Sequence, residues 1–354
     1  MVSTSQAPTQ KCHWLTGIHA GRGLAAVAVV ITHGIAHPFP GAPGVAHLLG
    51  RYGVTLFFVI SGFIMIASTG SGPFDPARFL RHRIRRVVPL YWLVTLVVAV
   101  TTIVAARAFK TTAFDIEHIL KSMFFIPYYS DGRIFPFFRL GWTLNFEMFF
   151  YLIFALAFPL TAKMRALAVS AVLFAFYGAG QVFTFSSAPA VFYTRVDTIA
   201  FIAGMWVALW ARHGRALDRN AQVALAAASA VIIAVIAWFY EPIKENDLTQ
   251  LALIIACAMQ AMILSTLPSS TRFPRLILFT GDASYSIYLW HMFGVGAVTA
   301  LIRRLAPSLL VPGMALATFA GLAVGMAVYI LIEAPLNRRL RRDHAPLQAA
   351  AGTV

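Results

Sequence analysis

Ten long runs of apolar residues, separated by short polar intervals, dominate the hydrophobic pattern of this chain. As helices that rise about 1.5 Å per residue, runs of this length can cross a hydrocarbon layer of about 30 Å. The pattern therefore predicts an all-α protein, a polytopic transmembrane bundle of about ten helices. The predicted spans cover residues 19–37, 53–69, 87–106, 142–160, 164–180, 196–211, 221–240, 249–267, 283–302 and 309–333.

The polar intervals carry positive charge that alternates along the chain. The 28 Lys and Arg residues outnumber the 13 Asp and Glu residues, which gives a net charge of +15. If the N-terminus is cytoplasmic, 17 of the 28 lie on the cytoplasmic side, 10 on the other side and one, Arg22, inside the first span. This bias follows the positive-inside rule, so both termini are predicted to face the cytoplasm. The charge thus reports membrane topology, and nucleic acid is not an expected partner.

The same pattern divides the chain into three segments. Residues 1–18 are predicted to form a cytoplasmic N-terminal segment, 19–337 an integral-membrane domain and 338–354 a basic cytoplasmic tail. No small-residue cleavage site follows the first span, so a removed signal peptide is not expected. The two cysteines, Cys12 and Cys257, lie far apart in the sequence and indicate neither a disulfide framework nor a metal site.

The first span contains two ionisable residues, Arg22 and His33, eleven positions apart. At about 100° per residue they share one stripe of the helix and lie about 16 Å apart along its axis. Because ionisable groups in a bilayer cost free energy unless they are paired, each is a candidate for function with a partner elsewhere. A structural explanation is equally open: Arg22 anchors the helix at the headgroups, and His33 is a hydrogen-bonded packing residue.

An acid in the fourth predicted span, Glu147, is the predicted partner of His33. Counted from Trp142 at the outer surface it lies about 8 Å deep, and His33 lies about 16 Å above the inner surface, so the two depths agree. A carboxylate would fix the tautomer of the imidazole and raise its basicity, as a general base for a hydroxyl requires. The alternative is a purely structural pair that joins two helices.

Arginines and small polar residues supply the remaining candidates. Five arginines lie within residues 78–86, and guanidinium forks match phosphate oxygens, although anchoring at the inner surface would also explain the charge. A serine such as Ser61 more often serves close helix packing than catalysis. Tyr288 and His291 are more often explained as an aromatic cluster at the membrane interface. The candidates for an acceptor site or a supporting role are Ser61, Asn145, Tyr288 and His291.

An aromatic-rich interval, FFIPYYSDGRIFPFF at residues 124–138, precedes the fourth span. Its composition is typical of an aromatic belt at the membrane surface, and a re-entrant segment on the outer face is the alternative. No internal repeat of the kind found in many transporters is visible.

Taken together, the motifs resemble the membrane-bound acyltransferase-3 family, and most of all its exopolysaccharide-acetylating branch of the ExoZ type. They occur in the family's order over nearly the whole chain. One departure is Thr55, which stands where many members have an acid. The resemblance rests on R-x10-H from Arg22 to His33, GVTLFFVISGFIM, Arg83-x-x-Arg86, WTLNFEMFFYL, SYSIYLWH and a closing E-x-P-x-x-R.

The resemblance implies an enzyme that moves an acyl group, usually acetyl, from cytoplasmic acyl-CoA to a hydroxyl of a glycan or lipid-linked sugar. It implies acetyl-CoA as the donor, no metal, and a multi-pass location in the bacterial cytoplasmic membrane. Membrane lipids and polysaccharide-assembly proteins are further expected partners. The implied site residues are the essential histidine His33, its paired arginine Arg22, the donor-associated pair Arg83 and Arg86, and the acid Glu147.

Two other functions stay open on the sequence alone. A transporter or flippase for a lipid-linked sugar could use His33 and Glu147 as a proton relay. A non-catalytic membrane subunit of a polysaccharide-assembly complex is the other. The missing repeats and the arginine cluster favour the enzyme.

Overall fold

Helices make up nearly all of the computed structural model, which describes residues 13–38, 44–104, 114–214, 217–240, 246–268, 270–305 and 309–342. The predicted all-α class is thereby confirmed. The first twelve residues and the tail beyond residue 342 lie outside the described residues. The helices are α1 (His13–Ala36), α2 (Gly44–Ser68), α3 (Pro76–Val104), α4 (Ile116–Met123), α5 (Trp142–Leu156), α6 (Ala162–Val182), α7 (Ala188–Tyr193), α8 (Ile199–Arg212), α9 (Arg219–Phe239), α10 (Asp247–Thr266), α11 (Arg275–Asp282), α12 (Ser284–Leu305), α13 (Leu310–Val328) and α14 (Ala334–Arg342).

Short irregular elements join some of these helices. Three-residue 3-10 turns at Arg139–Gly141 and Val196–Thr198 precede α5 and α8, and a π-helical turn, Tyr329–Glu333, joins α13 to α14. A hairpin of two short strands, β1 (Tyr129–Ser130) and β2 (Arg133–Ile134), pairs antiparallel between α4 and α5.

Within the described ranges, eight helical stretches are long and apolar enough to span a membrane, two fewer than the ten predicted spans. The other two predicted spans, 142–160 and 196–211, form α5 and α8, which have 15 and 14 residues. At about 1.5 Å per residue these helices are about 22 and 21 Å long, short of the 30 Å hydrocarbon layer. Apolar run length alone therefore overstated how far both segments extend as helices.

The aromatic-rich interval 124–138 folds back against the middle of α3. The Trp92 indole donates a 2.9 Å hydrogen bond to the carbonyl of Met123, and Phe125 stacks on Tyr91 with ring centroids 5.0 Å apart. Both α3 residues lie near the middle of that helix, which continues for twelve residues, about 18 Å, beyond Trp92. The segment thus reaches about half the depth of α3.

Hydrogen bonds and close packing fix this segment on both sides of its hairpin. The buried Ser122 hydroxyl accepts a 2.7 Å hydrogen bond from the backbone N–H of Phe137 and lies 3.3 Å from the Tyr128 hydroxyl. Gly141 packs so closely on the buried Tyr91 ring that a Cβ would not fit. Helix α5 therefore begins inside the bundle.

Helix α1 lies at the centre of the bundle and contacts α2, α10, α11, α12 and α13. Glycines allow the closest of these contacts, because Gly17 abuts the Leu264 carbonyl of α10 and Gly34 abuts Thr318 of α13. Helix α9 packs mainly on α10 and leaves most of its apolar surface toward the lipid. The candidate residues on α1 thus lie on a helix that other helices surround.

The two ends of the described chain lie on one face of the bundle. Arg22, in the first half of α1, donates to Ser284 at the start of α12. Helix α13 runs back along α12, so that Glu333 accepts a hydrogen bond from Ser286 near the same face. A common face for both termini agrees with the charge pattern, and its assignment to the cytoplasm stays a prediction.

Candidate active site

A cavity lies near this face, between α1, α2, α3, α5 and α12. Most of its wall is apolar and includes phenylalanine, isoleucine and valine side chains. Arginines of α1 and α3 and a glutamate of α5 also line it, so charged groups from three helices meet inside an apolar bundle. Six of the residues that the sequence singles out line it: Arg22, Ser61, Arg83, Arg86, Glu147 and Tyr288.

The arginines of the cavity are held by hydroxyl and aromatic groups. Arg22 donates a 2.8 Å hydrogen bond to Ser284, and Arg83 donates a 3.1 Å hydrogen bond to Ser68. The Arg83 guanidinium also lies 5.3 Å from the ring centroid of Phe79 and 5.7 Å from that of Tyr151, within cation–π range. Since an arginine carries five N–H donors, these partners leave donors for a ligand.

Glu147 belongs to the same end of the site as the arginines. Its Oε1 accepts a 3.3 Å hydrogen bond from Ser61 and another from Tyr151, one turn later on α5. The ring of Tyr151 in turn contacts the Arg83 guanidinium. Glu147 and Arg83 are thus linked through Tyr151.

The carboxylates do not cancel the positive charge of the cavity. Three guanidinium groups and one carboxylate line it, and a further acid, Glu333, interacts electrostatically with Arg22 and Arg86 from behind the wall. Glu333 is buried, and Ser286 donates a 2.5 Å hydrogen bond to it. With three cations against two anions, the site is electrostatically suited to an anionic ligand.

His33 does not contact Glu147, so the predicted pairing of these two residues is wrong. Glu147 shares the cavity with Arg22, whereas His33 lies eleven residues farther along α1, about 16 Å. In the part of the chain that the structure describes, no hydrogen bond or ion pair joins them. The physical reason is that α5 begins inside the bundle, which places Glu147 deeper than a count from the outer surface predicts.

Tyr288 connects the cavity with a pair of histidines. Its ring centroid lies 6.0 Å from that of Phe57 in the cavity wall and 6.4 Å from that of His291. Its hydroxyl accepts a 2.8 Å hydrogen bond from Thr143 and donates one of 2.9 Å to the carbonyl of Leu140, which fixes the ring. On the far side, His291 packs on His33 with ring centroids 5.1 Å apart.

Other residues near the cavity were misplaced or missed by the sequence analysis. Asn145 is buried beside the site without lining it, and its Oδ1 has no hydrogen-bond partner among the described residues. Tyr151, Ser284 and Tyr285 line the cavity and were not predicted. Tyr151 could have been found one turn after Glu147, and the two others begin the SYSIYLWH motif.

A second buried acid, Asp197, lies outside this cavity. It is 1% exposed, with Arg195 Nε at 3.0 Å and Arg51 Nη1 at 3.8 Å. The described ranges contain no group of three or more His, Cys, Asp or Glu side chains placed to hold a metal ion. The charge of Asp197 is thus balanced by two arginines that lie outside the cavity.

Comparison with known proteins shows the family that carries this arrangement. A family model described as an acyltransferase domain, that of acyltransferase-3, matches residues 15–332, which is most of the chain. The chain belongs to the acyltransferase-3 family. This acyltransferase-3 member is therefore a multi-pass membrane protein of an acyltransferase family, as the motifs predict.

Two relatives of this acyltransferase-3 member have informative names. It is 36% identical over 296 residues to the exopolysaccharide production protein ExoZ of Rhizobium meliloti (strain 1021), which covers 83% of this chain and 91% of that protein. It is 28% identical over 335 residues to BcsY of Komagataeibacter xylinus, named as a candidate membrane-bound transacylase, which covers 88% of this chain and 80% of that protein. No solved structure matches the chain.

Proposed function

We propose that this protein transfers an acetyl group from cytoplasmic acetyl-CoA to a sugar hydroxyl of an exopolysaccharide, or of its lipid-linked precursor, in the bacterial cytoplasmic membrane. Family membership supports acyl transfer, and the name of ExoZ connects that relative with exopolysaccharide production. The cavity supports acetyl-CoA as the donor, because three arginines and only one glutamate line it.

Acyl-CoA suits an arginine-lined cavity with an imidazole beyond it. Its phosphates are anionic and match guanidinium forks. Its long pantetheine arm places the thioester many bonds away from those phosphates. The distance of about 16 Å from Arg22 to His33 along α1 suits an extended arm that passes Tyr288. The arginine-bearing face is then the cytoplasmic face, as the charge pattern predicts.

His33 acts as the general base in this proposal. It takes the proton of the sugar hydroxyl while the oxygen attacks the thioester carbonyl. The carbon–sulfur bond then breaks, and the CoA thiolate receives the proton from the imidazolium, so no net proton is released. Because His33 lies on the side of the cavity away from the arginines, the acceptor approaches from the opposite face of the bundle.

Glu147 acts at the donor end. It accepts hydrogen bonds from Ser61 and Tyr151 and interacts electrostatically with Arg22 and Arg83. Its contribution is to hold these groups in place for the phosphates and to offset part of their mutual repulsion. This role replaces the orientation of His33 that the sequence predicts for it.

The test is acetyl transfer by purified protein in lipid nanodiscs, with radiolabelled acetyl-CoA and a lipid-linked oligosaccharide as the acceptor. Wild-type protein should label the glycan, and His33→Ala should label it only at a small residual rate. His37→Ala is the matched control, because His37 is an exposed histidine four residues later and should be dispensable. A folded, active His33→Ala variant would place the base elsewhere. A wild-type protein that ignores acetyl-CoA but moves the lipid-linked sugar across the bilayer would be a transporter.

A further inference from the structure

His291 of α12 is a fully buried imidazole whose hydrogen position is fixed by its surroundings. It is 0% exposed, and its Nδ1 lies 3.0 Å from the carbonyl oxygen of Ile287. Because a carbonyl oxygen only accepts, Nδ1 carries the hydrogen, and Nε2 of the neutral ring is an acceptor. In the described part of the chain this Nε2 has no hydrogen-bond partner. A buried acceptor without a partner calls for an explanation.

The ring of His33 lies beside the ring of His291. The two ring centroids are 5.1 Å apart, with an angle of 36° between the ring planes. Imidazoles joined by an N–H···N bond have centroids about 5 Å apart, because the bond spans about 2.9 Å and each nitrogen lies about 1.1 Å from its ring centre. The observed separation of the two rings is therefore the one that such a bond requires. His33 is only half-buried, so a substrate can reach it while His291 stays enclosed.

We propose that His291 is a positioning residue for His33, and this proposal rests on the function proposed above. During turnover Nε2 of His291 accepts a hydrogen bond from one ring N–H of His33, which leaves the other nitrogen of His33 to take the hydroxyl proton. When His33 becomes imidazolium, both of its nitrogens carry hydrogens, and the same acceptor stabilises the cation. His291 itself neither gains nor loses a proton in the step.

In many hydrolases a carboxylate orients the catalytic histidine and stabilises its imidazolium form. Here a neutral imidazole, that of His291, has this role. Glu147 cannot perform it here, because it is held at the arginine end by Ser61 and Tyr151. A neutral acceptor also avoids a second buried charge among apolar helices. In this proposal Nε2 of His291 gains its hydrogen-bond donor when His33 adopts its catalytic orientation.

The experiment compares two substitutions of His291 in the nanodisc transfer assay. His291→Leu introduces an apolar side chain of similar size and removes the acceptor, whereas His291→Gln places an amide oxygen near the position of Nε2. We expect kcat to fall about 10- to 100-fold for His291→Leu, with an unchanged KM for acetyl-CoA, and to recover most of the loss in His291→Gln. If His291→Leu does not fold, His291→Met provides the same comparison.

A double variant separates positioning from packing. Once His33→Ala has removed the base, adding His291→Leu should leave the residual rate unchanged, because residues that act as one unit are not additive. Wild-type kcat in His291→Leu, an equal loss in the folded Leu and Gln variants, or a further loss in the His33→Ala background would overturn the proposal. An active His33→Ala variant would instead contradict the proposed function, so the two failures can be told apart.

Discussion

Replacing Arg83 by alanine is the sharpest test of the donor cavity, because the same helix offers a matched control. Arg81 lies two residues away, is exposed and does not line the cavity. Both substitutions remove one positive charge from the same end of α3. If these arginines only fix the orientation of the protein in the membrane, the two variants should behave alike.

The magnitude follows from the contacts of Arg83. Arg83 donates a hydrogen bond to Ser68, and its guanidinium lies within cation–π range of the rings of Phe79 and Tyr151. Charge-assisted hydrogen bonds to a phosphate are worth about 1.5 to 3 kcal/mol, which corresponds to about 10- to 150-fold in affinity. Arg83→Ala should therefore raise the KM for acetyl-CoA by about that factor. Arg83→Lys should recover only part of it, because the planar fork is lost.

The assay is steady-state acetyl transfer in nanodiscs with acetyl-CoA as the varied substrate, normalised to folded protein. Arg81→Ala should keep the wild-type KM. Equal KM values in Arg81→Ala and Arg83→Ala, with both proteins folded and correctly inserted, would refute the reasoning and place the donor phosphates elsewhere.

Three further predictions address the acid, the packing and the topology. Glu147→Gln should raise the KM for acetyl-CoA more than it lowers kcat, because the carboxylate belongs to the donor end; a kcat loss alone in steady-state kinetics would speak for a role beside His33. Gly294→Ala should destabilise the protein by about 1 to 3 kcal/mol in thermal unfolding, because the new Cβ would meet the backbone of α13. The control Gly296→Ala should be neutral or slightly stabilising, because the space around Gly296 is open. A cysteine at the exposed Ser71, in a variant without the two native cysteines, should react with a membrane-impermeant thiol reagent only after the cells are opened; labelling of intact cells would reverse the topology.

Apolar run length predicted the helical class well, because a chain in lipid must satisfy its backbone hydrogen bonds internally. The spacing of Arg22 and His33 also predicted a real feature of α1, since the pitch of a helix fixes the axial distance between residues on it. Both predictions concern properties of single segments. Neither depends on how one helix is placed against another.

Depth relative to other helices is where sequence reasoning failed. The estimate for Glu147 assumed that α5 enters the membrane at Trp142. The segment before α5 instead folds back against Tyr91 and Trp92, near the middle of α3, and this long-range packing has no periodic signature. The contact between His33 and His291 was missed for the same reason, because it depends on how α1 and α12 pack together.

The segment before α5 has a consequence for the chemistry of the whole site. By starting α5 inside the bundle, it carries Glu147 down to the arginines, where unpaired cations would otherwise be costly in an apolar bundle. It also leaves His33 with a neutral neighbour, His291. The site is thus divided into an arginine end and a histidine end. The arginine end matches the phosphates of a donor, and the histidine end matches a thioester and a sugar hydroxyl, neither of which carries charge before the reaction begins.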